Sequence, residues 1–247
     1  MSKDTTLNIK TPKNLIATLP DYTLGEELIN SISHGLGASF AIIALVLCVT
    51  KAVISGSSLA IVSSCLYGSM LVLLYTMSTI YHALKRNRAK YVFRIFDHCT
   101  IFLLIAGTYI PIVLVGIGGA VGWIYFGIVS AAAVLGIVFN AISVERFAIF
   151  SMICYIAMGW VIVFGFRPLA ASVDIRGIAL LIAGGIVYTL GAILYGLGSK
   201  RKYFHSVWHF FVLGGSILHF FMIYNYVVKK CKMSKNNRNL EVNIWSL

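Results

Sequence analysis

Long runs of apolar residues, separated by short polar segments, make up most of the chain after residue 30. A helix needs about 20 mostly apolar residues to cross a hydrocarbon layer about 30 Å thick, and a backbone in lipid must satisfy its hydrogen bonds internally. The pattern therefore predicts an all-α membrane protein, built as a seven-transmembrane helix bundle. We expect its spans at about residues 32–53, 58–84, 93–115, 121–140, 147–166, 177–197 and 203–228.

The spans divide the sequence into three regions. Residues 1–30 form a predicted N-terminal segment, residues 31–228 the transmembrane domain, and residues 229–247 a basic C-terminal tail. Within span three, Pro111 is expected to bend the helix, because proline cannot donate a backbone hydrogen bond. The glycine-rich segment 116–122 lacks the Lys-Ser/Thr ending of a phosphate loop, so we interpret it as a tight turn outside the membrane.

Basic residues predict how the bundle is oriented in the membrane. Lys and Arg concentrate before span one, between spans two and three, and between spans six and seven. The positive-inside rule places such segments in the cytoplasm. We therefore expect a cytoplasmic N-terminus and, with seven spans, a C-terminus outside. The basic tail at 229–247 is discordant with this orientation.

Composition and charge define the surroundings of the protein. Hydrophobic residues make up 59% of the chain and charged residues only 11%, which is unlike a soluble domain. The net charge of +12 comes from basic residues that flank the spans, where anionic lipid headgroups supply the counter-charge. We therefore predict membrane lipids as partners, no nucleic acid and no soluble protein partner, and a multi-pass location in the cell membrane.

Five polar residues stand out inside the predicted spans, where ionisable groups are costly and usually functional. They are Ser78, His82, Asp97, His205 and His209. Ser78 and His82 are four residues apart, as are His205 and His209. Each pair therefore shares one face of its helix.

These residues also share a predicted depth. His82, Asp97 and His205 each lie three residues from a basic residue of the cytoplasmic belt, about 4–5 Å below it at 1.5 Å per residue. Three imidazoles and a carboxylate at one depth can surround a metal ion. Three histidines with an open fourth position are typical of catalytic zinc, so we predict Zn²⁺ as the cofactor.

Simpler interpretations stay open for these residues. Histidines near a membrane interface often serve as amphipathic anchors, and Asp97 could pair with Arg94, one turn earlier. His219 lies ten residues beyond His209, about 15 Å along the helix, and is excluded from the cluster. His98 points about 100° away from Asp97 and is predicted to pack behind the site.

A second polar stripe opens span one. Glu26, Glu27, Asn30 and His34 recur at helical spacing on a face that enters the membrane. These residues could mark the start of an interfacial helix. They could equally form a polar wall or a seal beside the metal cavity.

Several separated motifs resemble those of one protein family. The matching stretches are E-E-L-I-N-S-I-S-H (26–34), S-T-I-Y-H (78–82), F-D-H (96–98), A-G-T-Y-I-P (106–111), M-G-W (158–160) and H-S-V-W-H (205–209). Across residues 22–228 the chain resembles the bacterial hemolysin III proteins. Through them it resembles the progestin and adipoQ receptor family, which includes the adiponectin receptors.

The resemblance implies seven helices, a cytoplasmic N-terminus and a zinc ion near the cytoplasmic face. It assigns His82, His205 and His209 as the zinc ligands, with Asp97 beside the water that zinc activates and Ser78 next to it. Relatives that hydrolyse ceramide suggest amidase activity, and a role in membrane-lipid homeostasis is proposed for bacterial members. The lysine-rich tail has no counterpart that we can identify.

Three functions follow as hypotheses. The first is a zinc-dependent hydrolase of lipid amide or ester bonds, with Asp97 as the base and Ser78 as a hydrogen-bond donor. The second is a membrane-disrupting haemolysin (cytolysis), which the absence of a signal peptide and of an amphipathic pore-forming segment disfavours. The third is a non-catalytic sensor or receptor that contains zinc.

Overall fold

The computed structural model describes residues 12–198 and 201–228, and all regular secondary structure in these ranges is helical. The helices are α1 (Pro12–Ala17), α2 (Leu24–Ser55), α3 (Ser58–Ala83), α4 (Arg88–Ile110), α5 (Gly119–Ile142), α6 (Ala148–Trp160), α7 (Phe166–Ser172), α8 (Ile175–Leu197) and α9 (Phe204–Met222). Three short segments continue or join them: π-helices at Pro111–Ile117 and Ile223–Val227, and a 3-10 helix at Val161–Gly165.

Within the part of the chain that the structure describes, seven helical segments are long and apolar enough to cross a membrane. They are α2, α3, α4 with its π-helix, α5, the continuous segment from α6 through α7, α8, and α9 with its π-helix. The predicted seven-helix fold is thereby confirmed. The predicted orientation of the termini stays a prediction, and the basic tail at 229–247 lies outside the described residues.

Span one begins earlier than predicted, at Leu24 rather than near residue 32. Thr23 and Glu26 form a capping box, in which the Thr23 hydroxyl accepts from the Glu26 N–H and the Glu26 carboxylate accepts from the Thr23 N–H at 2.9 Å. This reciprocal pair satisfies backbone donors at the helix start. The predicted boundary at residue 30 therefore falls inside a helix, and the polar stripe belongs to its first turns.

Two features expected near the end of span three are present. At Pro111 the α-helix gives way to a π-helix, as expected where proline cannot donate to the α-helical ladder. Gly118 and Gly119 then adopt φ angles of 71° and 59°, which side chains disfavour. They form the predicted tight turn into α5.

Glycines recur every seventh residue along α8 and past its end, and all of them face the last span, which consists of α9 and its π-helix. These glycines are Gly177, Gly184, Gly191 and Gly198. A Cβ atom built at Gly184 would lie 2.3 Å from His219 Cδ2, which no side chain tolerates. Large α9 side chains thus occupy the space that the glycines leave, and close backbone approach of this kind holds helices together in lipid. We call this contact the glycine seam.

Four helix ends meet at one end of the bundle. The N-terminal ends of α2, α4 and α9 surround the C-terminal end of α3, because α2 packs along α3, α3 packs along α4, and α9 packs against α2 and α8. Polar residues that are far apart in sequence therefore lie at one level.

Candidate metal centre

Three histidines converge where these helix ends meet. His82 comes from the last turn of α3, and His205 and His209 come from the first turns of α9. The Nε2 atom of His205 lies 3.2 Å from that of His82 and 3.1 Å from that of His209. The three predicted ligands therefore form a group that could hold a metal ion.

The spacing of these nitrogens suits a tetrahedral ion. Zinc–nitrogen bonds of about 2.0–2.1 Å in tetrahedral geometry separate two ligand nitrogens by roughly 3.3 Å. A neutral imidazole carries only one N–H, so three nitrogens that face one another cannot all be paired by hydrogen bonds. A cation bound by all three nitrogens would remove this crowding of lone pairs.

Asp97 and Ser78 lie in the wall of a cavity that also contacts His205 and His209. Both are buried, with 8% and 1% of their surface exposed. Ser78 Oγ lies next to the Asp97 carboxyl, although no hydrogen bond of standard geometry joins this hydroxyl to any described residue. The serine and the aspartate thus line the same cavity as two of the three clustered histidines.

The alternative pairing of Asp97 with Arg94 is not what the structure shows. Arg94 Nη1 instead contacts Glu145 Oε1 at 2.5 Å and the Thr18 carbonyl at 3.0 Å. Burial alone would raise the pKa of Glu145, but its hydrogen bond with Thr18 and the charge of Arg94 hold that pKa below its usual value. Arg94 is thereby engaged away from the cavity.

His98 and His219 line the cavity but lie outside the three-histidine group. His219 Nε2 lies 3.2 Å from the carbonyl oxygen of Leu181 and donates to it. Both residues therefore lie apart from the three candidate ligands.

The polar stripe of α2 joins the metal centre. Glu27 Oε2 lies 2.7 Å from His82 Nδ1, and the ring of His34 stacks on that of His209 with centroids 3.7 Å apart. Glu26 accepts a hydrogen bond of 2.7 Å from the backbone of Tyr203, immediately before α9. The stripe is therefore both a capped helix start and a wall of the site, so the two interpretations hold together.

The cavity has a volume of about 140 Å³ and runs from the histidines towards the middle of the bundle. Its walls come mainly from α4, α6, α8 and α9 and are largely apolar, with side chains such as Ile101, Ile105, Ile112 and Leu181. Along α4 and the π-helix that continues it, the cavity extends from Asp97 to Ile112, roughly 20 Å. The histidine cluster thus lies at one end of an apolar space inside the bundle.

Residues 12–23, which we call the N-terminal strap, cover the other side of the centre. Tyr22 stacks on His205 with ring centroids 4.9 Å apart. Burial raises the pKa of this phenol well above its ordinary value, so it stays a neutral hydroxyl. Arg86 holds the strap by donating to the carbonyl oxygens of Leu19 and Pro20, at 3.0 and 3.3 Å, and to Asp21 at 3.1 Å.

Sequence reasoning missed the strap and the link between Glu27 and His82. The basic segment between spans two and three, which contains Arg86, predicts only the orientation of the bundle, and nothing in the hydropathy of residues 12–23 indicates a cover. One available signal was the T-L-G-E sequence at 23–26, which matches a capping box and predicts the earlier helix start. That start carries Glu27 onto the helical face beside the histidines.

The chain is similar to known proteins over most of its length. Residues 22–220 match the family model described as Haemolysin-III related. The chain is 41% identical to Hemolysin-3 of Bacillus cereus over 82% of its own length and 92% of that protein. It is 40% identical to the Hemolysin-3 homolog of Bacillus subtilis (strain 168), over 84% of its length and 97% of that protein.

A weaker similarity extends to an adipoQ-receptor-like protein. The chain is 22% identical to the Monocyte to macrophage differentiation factor of Homo sapiens, over 68% of its length and 71% of that protein. Seven apolar helices and bacterial relatives of this kind make the chain a multi-pass protein of the bacterial plasma membrane. The motifs, the fold and these matches together confirm the predicted family: the chain belongs to the hemolysin III family.

Proposed function

We propose that this protein is a zinc-dependent hydrolase of amide or ester bonds in membrane lipids, with a role in membrane-lipid homeostasis. One observation carries the proposal. Three imidazole nitrogens converge beside a buried carboxylate, at the end of an apolar cavity inside a membrane bundle. A purely structural metal would need neither the carboxylate nor the cavity.

The donor set supports zinc over other divalent ions. Imidazole nitrogens suit zinc, whereas magnesium and calcium prefer oxygen ligands. Three protein ligands leave a fourth position open in a tetrahedral site, as in catalytic zinc centres. When bound, zinc would supply a water whose pKa is lowered to about 7 and a positive charge that polarises a carbonyl group.

The residues around the histidines have separate roles in this proposal. Asp97 accepts the proton of the attacking water and can return it to the leaving amine or alcohol. Ser78, which lines the cavity beside Asp97, donates a hydrogen bond to the carbonyl oxygen of the substrate as negative charge develops there. The apolar cavity binds the acyl chain and so places its carbonyl carbon near the histidines.

The cavity supports a lipid substrate over a water-soluble one. Its lining is largely apolar and its polar groups cluster at the histidine end. A ligand with a long apolar chain and one hydrolysable polar linkage matches that arrangement. Ceramides and acylated phospholipids have this form.

A reconstituted assay tests the proposal. Purified protein in vesicles is incubated with N-acyl and O-acyl lipids, and release of free fatty acid is measured for wild type and for Asp97→Asn. Loss of a general base costs about 10²–10⁴-fold in rate, so Asp97→Asn should retain zinc and lose release by that factor. Ser78→Ala should show a smaller loss. Equal release by wild type and Asp97→Asn would contradict the assignment.

The names of the relatives motivate a second candidate function. Hemolysin-3 of Bacillus cereus is 41% identical, and its name refers to lysis. If cytolysis is the primary function, purified protein should release dye from vesicles, and the Asp97→Asn variant should do so equally. If lysis follows from lipid hydrolysis, it should disappear with the release of fatty acid.

A further inference from the structure

Glu27 makes the shortest contact of any side chain to the three histidines. Its Oε2 atom lies 2.7 Å from His82 Nδ1, whereas the Asn30 amide nitrogen lies 3.4 Å from the same atom. A carboxylate only accepts hydrogen bonds, so Nδ1 carries the ring proton. The Nε2 atom of neutral His82 is therefore bare and presents its lone pair to the centre of the cluster.

Lys90 holds Glu27 in this position. Its ammonium group lies 2.7 Å from Glu27 Oε1 and donates at 3.0 Å to the carbonyl oxygens of Tyr81 and Leu84. All three of its protons are thus used, and only 4% of the side-chain surface is exposed. The two carbonyls belong to the C-terminal end of α3, where helix acceptors lack intrahelical partners. Lys90 therefore ties α2 and α4 to the helix end that carries His82.

The other two histidines have no such support among the described residues. The Nδ1 atoms of His205 and His209 are buried and make no hydrogen bond of standard geometry there, although the backbone of Asn30 lies close to His209. Of the three candidate ligands, His82 alone has its tautomer and ring orientation set by a carboxylate.

We propose that Glu27, held by Lys90, is a positioning residue for the metal centre: it keeps His82 in the ligating tautomer and raises the affinity for zinc. This inference rests on the proposed zinc site. Carboxylates that accept from a ligand imidazole increase its basicity, and their removal typically costs 10–100-fold in metal affinity. Glu27 does not reach the cavity, so its effect is on the ion and not on the substrate.

Glu27→Gln tests the proposal, with Glu145→Gln as the matched control. Glu145 is also a half-buried carboxylate, paired with Arg94 one turn along from Lys90 on α4, but it contacts no histidine. Zinc dissociation constants are measured by chelator competition on the purified full-length protein. We expect the constant to rise about 10–100-fold in Glu27→Gln and to stay within about threefold of wild type in Glu145→Gln.

A second variant guards against a folding defect. Glu27→Asp keeps the charge near Lys90 but withdraws the carboxylate from His82 by one methylene group, and it should weaken zinc binding by a similar factor. The melting temperature of each metal-free variant is measured in detergent. In the Co²⁺-substituted proteins, the ligand-field absorption band should shift in both Glu27 variants and not in Glu145→Gln.

A comparison of single and double variants tests the role of Lys90. If Lys90 acts through Glu27, Lys90→Met should weaken zinc binding in wild type and have no further effect in the Glu27→Gln background. Wild-type affinity in both Glu27 variants would overturn the inference while leaving the zinc site intact. Absence of zinc from wild type itself would instead overturn the proposed function, and this inference with it.

Discussion

Six histidines occur in the chain, and the structure places them in distinct environments. Three of them, His82, His205 and His209, form the cluster. His34 stacks against the cluster, on His209. The remaining two, His98 and His219, line the cavity outside the cluster. Residue type alone does not separate these groups. Their positions on the helices do, because the Nε2 atoms that face one another belong to the histidines at the end of α3 and the start of α9.

The metal content of histidine variants distinguishes side chains that bind a metal ion from side chains that only anchor a helix at the membrane interface. The His205→Ala/His209→Ala variant should contain no zinc, whereas wild type should contain about one ion per chain, because one remaining imidazole cannot hold the ion. His219→Ala, from the same helix, should keep the wild-type content. Metal analysis of purified protein measures both. Unchanged zinc in the double variant would mean that the cluster only anchors the helices at the interface.

Among the elements, α9 determines the site, since it carries two of the three candidate ligands. The glycine seam sets how closely and in which rotation α9 lies on α8. Spacing of seven residues keeps the glycines near one helix face, and large α9 side chains fill the gaps. A methyl group in the seam would therefore displace α9 as a whole.

Gly184→Ala tests this contact. Its new methyl group would lie 2.3 Å from His219 Cδ2, and overpacking of this kind costs about 1–3 kcal/mol. The melting temperature of the purified protein in detergent should fall accordingly.

Gly185→Ala is the control from the next position, where the nearest atom, Trp160 Cζ2, lies at 3.6 Å. It should be neutral or stabilising, because alanine favours helix more than glycine does. In the Gly184→Ala background, His219→Ala should restore stability by vacating the space. A melting temperature that falls equally in both glycine variants would argue against the seam.

For the whole molecule, the arrangement of seven spans has a measurable consequence. In a background without cysteines, Ala89→Cys should react only with reagent added from the cytoplasmic side, and Ala120→Cys only with reagent added from outside. Both positions are exposed and lie in the first turns of α4 and α5. They are preferable to Gly118, whose positive φ disfavours a side chain. Labelling of both from one side would contradict the predicted orientation.

The number of helices and their approximate positions follow from sequence, because the bilayer imposes one length and one polarity on every span. The candidate ligands follow too, since the i,i+4 pairs and the basic belt place them on one level. Helix starts are less predictable. The first turns of α2 are polar, and only the capping box at Thr23 and Glu26 indicates that they are helical.

The contacts between side chains of different helices cannot be predicted from a single sequence. Lys90 belongs to the basic segment between spans two and three, from which the sequence predicts only the orientation of the bundle, yet it is buried against Glu27. Tyr22 likewise gives no sign that it stacks on His205. Both depend on which helices are neighbours and how each is rotated, and hydropathy does not encode either.

The candidate ligands lie far apart in the order of synthesis. His82 and His205 are separated by 123 positions, and both His205 and His209 belong to the last span. A nascent chain that leaves the ribosome from its N-terminus therefore inserts five further helices, α4 to α9 with α6 and α7 as one span, before the site is complete. An interrupted polypeptide would hold a lone imidazole and no ion. Metal occupancy would thus report that translation and membrane insertion have both finished.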